Sequence, residues 1–137
     1  ALAKSEIIKN IKEEGYLVLN KDDKFYNFHK KIGLKRNLKI LSFSLKNKSA
    51  TVNLDSILGE NSKYKVCINI NKIQKYFYTN SFFENDLKNL LATIVIISIY
   101  KDIHKIDKNI FYIFNHYKAP LALLASLINS SSSVCST

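Results

Sequence analysis

The sequence predicts an α/β fold, and three observations lead there. Two short, mainly apolar runs, Tyr16–Leu19 and Leu38–Phe43, have the length and character of strands buried on both faces of a parallel sheet. Segments with helical spacing stand before and between them, with links short enough to make sequential elements neighbours. With 137 residues, 47% of them hydrophobic, one domain has enough apolar material for a real core.

From Lys4 to Glu14, Ile7, Ile8 and Ile11 share one helical face with charges opposite, and Gly15 is a natural stop. The strand Tyr16–Leu19 follows. Asn20-Lys21-Asp22-Asp23 then punctuates, with Asp22 or Asp23 as the expected N-cap of a second helix. In that helix Phe25, Phe28, His29 and Ile32 share a face, and Gly33 is expected to close it. Leu38–Phe43 is the next strand, completing helix, strand, helix, strand.

The texture changes after that. Ala50–Leu54, Tyr64–Ile70 and Ile73–Tyr78 look like short, partly alternating strands separated by Asn, Gly and Ser, so a small antiparallel β-segment added to the α/β core is expected. Asn85–Lys101 is the strongest helix in the chain. Leu87, Leu90, Leu91, Ile94, Val95 and Ile97 make it apolar over most of its circumference, which predicts burial. Asp107 is placed to cap a last helix through Tyr117, with Ile110, Ile113 and Phe114 inward and Pro120 ending it. Beyond Pro120, LALLASLINSSSSVCST bears no charge, so residues 1–118 are expected to form the domain. Residues 119–137 are expected to be a divergent tail, disordered or born of a disrupted reading frame.

The formal charge of +10 raises the question of a nucleic-acid partner. Its distribution answers against one: residues 1–60 hold 12 basic and 7 acidic groups and residues 61–137 hold 9 and 4, so each half carries +5. Lysines scattered singly between apolar residues mark solvated faces. Cys67 and Cys135 match no CxxC or Cys/His metal spacing; Cys67, within YKVCINI, is expected to be a small buried hydrophobe, and the pair fits a reducing cytoplasm. No N-terminal signal is visible, and the longest apolar stretches, 90–100 and 119–128, are shorter than the roughly 20 residues of a membrane-spanning helix. His29, His104 and His116 have no carboxylate-and-nucleophile set around them in sequence, so no catalytic role is assigned.

Two stretches bear on chemistry. Leu17-Val18-Leu19-Asn20-Lys21-Asp22-Asp23 places an amide and two carboxylates where a buried strand ends, at the edge where open α/β sheets bind ligands. An Asn amide both donates and accepts, which suits the ring edge of a nucleotide base; a plain turn with a helix cap fits the same residues. The second stretch, Phe83-Glu84-Asn85-Asp86-Leu87-Lys88-Asn89-Leu90-Leu91-Ala92, sets Asn85 and Asn89 four residues apart on one helix face. A helix start rich in Asn for capping fits here too.

The first stretch resembles the LNxDD segment of the Mur ligases. Ala3-Lys4-Ser5-Glu6-Ile7 upstream looks like the A-K-x-E-I helix that precedes this strand in the D-alanyl-D-alanine-adding members. The second stretch is similar to the signature that opens a long helix in that family, with Asn85, Asn89 and Ala92 as its matches. Glu84 stands where a His is usual, and Phe82 where a Gly is usual. These pieces occur in family order along residues 1–118.

The resemblance implies the C-terminal half of the central ATP-binding domain of a cytoplasmic ligase of peptidoglycan synthesis. The complete enzyme uses ATP and Mg²⁺ to activate a UDP-MurNAc-tripeptide, which D-alanyl-D-alanine then attacks. It also implies that Asn20 and Asn85 serve the adenine side of the nucleotide pocket, with Asn89 in support. No G-x-x-G-K-[ST] phosphate loop occurs, and the three glycines are not clustered. The family's metal-holding His and Glu and its modified lysine fall upstream of Ala1. A segment of such a ligase, inactive alone, is therefore the leading expectation. A stand-alone nucleotide-binding α/β module and a basic nucleic-acid binder are the alternatives.

Overall fold

The structure, a computed structural model, describes residues 2–112. Its elements are α1 (Leu2–Asn10), β1 (Tyr16–Asn20), α2 (Tyr26–Lys35), β2 (Lys39–Ser44), β3 (Val52–Glu60), β4 (Lys63–Ile70), β5 (Ile73–Thr79) and α3 (Glu84–Tyr100), followed by a 3₁₀ turn, Ile103–Lys105. The strands form one sheet in the order β1-β2-β3-β4-β5. β1 and β2 pair in parallel, as do β2 and β3, while β3-β4 and β4-β5 are antiparallel. The antiparallel strands are thus the continuation of the parallel sheet and not a separate layer. Phe43 and Ser44 at the end of β2 are the residues that meet Val52 and Asn53 at the start of β3, so most of β3 runs on past the carboxyl ends of β1 and β2.

Alternation along β1 explains why helices cover both of its faces. Leu17 and Leu19 pack with Ile8 of α1 and Tyr26 of α2 in one cluster. Val18 points the other way and joins the main core, in which Leu87, Leu91, Ile94 and Val95 of α3 meet Val52, Val66, Ile68, Ile70 and Phe77 of the sheet. Burial selects the apolar stripe of α3, and Asn85 and Asn89 are left on its exposed side.

Several local details depart from the sequence expectations. Helix α1 ends at Asn10, and the left-handed residue that follows is Glu14 (φ 63°), not Gly15. Gly15 serves a close approach instead: a Cβ there would lie 2.7 Å from the carbonyl oxygen of Lys12. Gly33 does not end α2 either. It faces the sheet, where a Cβ would sit 2.6 Å from a methyl of Leu17, and the stop is Asn37 (φ 57°). Leu38 N–H reaches Gly33 O at 3.0 Å and Asn37 N–H reaches Leu34 O at 3.1 Å, a Schellman closure with Asn in place of Gly.

The face of α2 is also rotated from the expected one. Tyr26, His29 and Gly33 are buried, while Phe25 and Phe28 are partly exposed. β3 extends six residues past the predicted Leu54, with a bulge at Asp55 that lets the polar run continue in the sheet. Cys67 is only half-buried, since it alternates outward between Val66 and Ile68. Asp107 accepts a 2.8 Å bond from Asn109 N–H and Phe111 is buried, as a capped helix start requires. Ile113, Phe114, His116, Tyr117, Pro120, Cys135 and the tail 119–137 lie outside the described residues.

Candidate functional site

The carboxyl rim of β1 and β2 gathers the polar residues of the first motif. Asn20 ends β1 in a tight Asx turn, its Oδ1 accepting Asp22 N–H at 2.9 Å. The Nδ2 donor is the end of the amide that this bond does not occupy. By alternation Asn20 lies on the same side of β1 as Val18, the side that α3 covers.

Asp22 does not cap α2. Its carboxylate crosses to the loop after β2, accepting the Ser44 hydroxyl through Oδ1 and Leu45 N–H at 2.8 Å through Oδ2. The Ser44 Oγ in turn accepts Lys46 N–H at 3.0 Å and Asn47 N–H at 2.6 Å. Lys21 adds a second tie, its Nζ donating to Ser49 Oγ at 2.6 Å. Asp23 stiffens the turn into α2, accepting Phe25 N–H at 2.8 Å, and meets Lys4 Nζ of α1 at 3.4 Å. The backbone donor from Phe25, then Lys4 and the nearby His29, hold its carboxyl below the usual aspartate value of 3.8. The two carboxylates of this motif therefore brace the rim.

Helix α3 begins beside this rim. Glu84 pairs with Lys88 at 2.9 Å, which lowers its pKa; the charge of Lys46 also lowers it and that of Asp22 opposes. The carboxylate at the start of α3 thus lies within the fields of the loops that follow β2 and β1. Asn85 is the next residue and, like Asn89, is solvent-exposed; the Asn89 carbonyl accepts the hydroxyl of Thr93 at 2.7 Å. Among the described residues no hydrogen bond joins the amides of Asn20 and Asn85. Asn20 lines a cleft of about 280 Å³ with Lys4, Asp23, Tyr26, His29 and Phe43, and neither α3 asparagine lines it. Ahead of α3, Phe82 and Phe83 stack at 5.2 Å and are both exposed, Phe83 at 67%. Glu84 thus feels the charges of the turns after β1 and β2, while the amides of Asn20 and Asn85 stay separate.

His29 is buried and packs edgewise on Phe28 at 5.4 Å, so it is a core residue of α2, and His104 is exposed on the 3₁₀ turn. Sequence reasoning missed the bridging role of Asp22, because the bond that defines it spans 22 residues. The only local signal was a second Asp in a turn that needed one.

The family model of the Mur ligase middle domain matches residues 1–97. The chain belongs to the Mur ligase family. Solved structures agree in fold. The D-alanyl-D-alanyl ligase MurF of Acinetobacter baumannii superposes with a TM-score of 0.62 at 16% identity, over 75% of this chain and 22% of its own. MurF of Thermotoga maritima, solved in complex with ADP, gives 0.61 at 16% identity over 80% and 24%. A UDP-N-acetylmuramoyl-L-alanyl-D-glutamate–2,6-diaminopimelate ligase gives 0.62 at 15% over 82% and 23%. This Mur ligase chain therefore spans under a quarter of the length of the ligases it superposes on. No curated protein sequence matches it.

The half-buried amide of Asn20 and the exposed amides of Asn85 and Asn89 can each donate and accept hydrogen bonds, whereas the sequence has no glycine-rich loop for phosphates. Among the described residues no group of three His, Cys, Asp or Glu could hold a metal ion. Asp22 and Asp23, the acids closest to Asn20 in sequence, are engaged in bracing bonds. The described residues thus offer no all-protein cage for a metal ion. Among them, too, no helix is long and apolar enough to cross a membrane.

Proposed function

We propose that this chain supplies the adenine side of the ATP pocket of a Mur ligase that adds D-alanyl-D-alanine to a UDP-MurNAc-tripeptide in peptidoglycan synthesis. Asn20 and Asn85 contact the base, and Asn89 supports the outer wall. The observation that supports the reading is that Glu84, the first residue of α3 and the neighbour of Asn85, lies within the field of Asp22, two residues past Asn20 at the end of β1. Nδ2 of Asn20 is a donor suited to a ring nitrogen of adenine, and the Asn85 amide offers both a donor and an acceptor. Phosphates and Mg²⁺ belong to residues outside this chain, so 1–137 alone binds adenine nucleotides without turning them over.

Titration of the chain with ADP, GTP and AMP tests this. ADP and AMP should bind with similar weak affinity, because the base supplies the contacts, and GTP should bind less well. Equal binding of GTP, or no binding of any nucleotide, contradicts it. The alternative of a nucleic-acid binder predicts instead that single-stranded DNA outcompetes ADP with a steep salt dependence.

A further inference from the structure

At the far edge of the sheet from β1 lies a corner with several lysines and no ion pair to any of those that line it. β5 ends the sheet there, and the segment after α3 runs beside it, Tyr78 N–H bonding to Lys108 O at 2.8 Å. Between them opens a cavity of about 370 Å³ lined by Gln74, Lys75, Tyr76, His104 and Lys108 with two isoleucines, and by no carboxylate. Aromatic rings stand beside Lys108 and beside two further lysines outside the lining. Lys65 Nζ lies 4.3 Å from the Tyr76 ring centroid, Lys108 Nζ lies 5.8 Å from it, and Lys63 Nζ sits 3.8 Å from the Tyr78 ring. Lys75 Nζ is anchored on Ile103 O at 2.7 Å.

The nearby acids keep their charge but stand outside the cavity lining. Asp102 accepts the backbone N–H of His104 at 3.0 Å, Asp107 that of Asn109 at 2.8 Å, and Asp55 meets Gln74 at 3.0 Å and Lys48 at 3.5 Å. Glu60 faces Lys63 across the β3–β4 register without forming an ion pair. Ion pairs among the described residues are Lys4–Asp23, Lys48–Asp55 and Lys88–Glu84, and none includes Lys63, Lys65, Lys75, His104 or Lys108. Residues 113–137 contain no Asp or Glu side chain that could supply the balance.

We propose that this cavity binds a phosphate-bearing anion, with Lys75 and Lys108 supplying charge, His104 a ring N–H donor, and Tyr76 forming one wall. Two lysines and a histidine line this cavity with no carboxylate among them, and a phosphate accepts several charge-assisted hydrogen bonds at once. The site is separate from the asparagine rim and does not depend on adenine.

The test is titration of the full chain with sodium triphosphate and, separately, with a ten-residue oligothymidylate, followed by amide NMR and calorimetry. Triphosphate should shift the signals of Lys75, Tyr76, His104 and Lys108 and leave those of Asn20 and Asn85 in place. His104→Gln combined with Lys108→Glu, both exposed positions, should weaken binding by about ten-fold or more with an unchanged melting temperature. Lys35→Glu, a charge change on the surface of α2, is the control and should leave affinity within about two-fold. Unshifted corner signals, or equal losses in the control and the double variant, overturn the proposal. If the oligonucleotide binds more tightly than triphosphate through the same four residues, the phosphate comes from a nucleic acid; if not, from a small free anion.

Discussion

The carboxylate of Asp22 accepts the hydroxyl of Ser44, joining the turn after β1 to the turn after β2 across 22 residues of chain. Ser44 is fully buried, so this bond fixes the spacing of the two strand ends on which the rim of the site depends.

Removing the bridge is expected to loosen the rim first and the fold second. Asp22→Ala leaves Ser44 Oγ and Leu45 N–H without their partner and should cost about 1–3 kcal/mol in denaturant unfolding. Ser44→Ala should cost a similar amount, and the double variant less than the sum, because one interaction is lost in both.

Gly15→Ala brings a Cβ to 2.7 Å from the Lys12 carbonyl, a backbone atom that cannot rotate away. Gly15 O also accepts Lys39 N–H at 2.9 Å, so a shift there disturbs the start of β2. A loss of about 1–3 kcal/mol in unfolding free energy is expected.

Leu91 and Ile94 are fully buried in the core between α3 and the sheet. Truncation of either to Ala should cost about 2–5 kcal/mol, whereas Asn85→Ala and Asn89→Ala on the exposed side should change stability by no more than about 0.5 kcal/mol. Thermal and denaturant melts of the four variants separate the helix's structural face from its proposed ligand face.

Asp23 sets a direction for acid sensitivity. Its folded pKa lies below the unfolded value, so the contribution is present above the usual aspartate value of 3.8 and is lost as pH falls through the lower folded value. Asp23→Asn should therefore lower the melting temperature at pH 7, and the gap from the unmutated chain should narrow in melts taken at progressively lower pH below 3.8.

Much of the fold could be read from the residues because each local pattern agreed with its tertiary setting. Leu17-Val18-Leu19 is apolar on both faces, and helices do cover both. The long apolar stripe of α3 has the length and period of a buried helix, and it is one. Difficulties arose where a residue served a distant neighbour. Gly33 looks like a helix stop, yet its missing side chain lets α2 approach Leu17 and Ile40, and Asn37 does the stopping. The mixed stretch Asp55–Glu60 gives little sign of a strand, since most of it is solvated and a bulge breaks the alternation at Asp55.

The site divides in the same way. Asn20 and Asn85 stood out by position and type, because a strand end and a helix start are where ligands meet an α/β sheet. The work of Asp22 did not, since its partners lie in another turn. The cationic corner was equally hidden: Lys75, His104 and Lys108 are spread over more than thirty residues and come together only when the segment after α3 turns back along β5.

The central claim is that Asn20 and Asn85 face one base. It is tested most directly by recording the side-chain amide signals of both residues while adenosine, which has no phosphate, is added to the chain. The two NH₂ pairs are predicted to shift together with a single affinity, and Asn20→Ala should abolish the shift at Asn85. Independent affinities at the two amides, or movement of neither, would contradict the account.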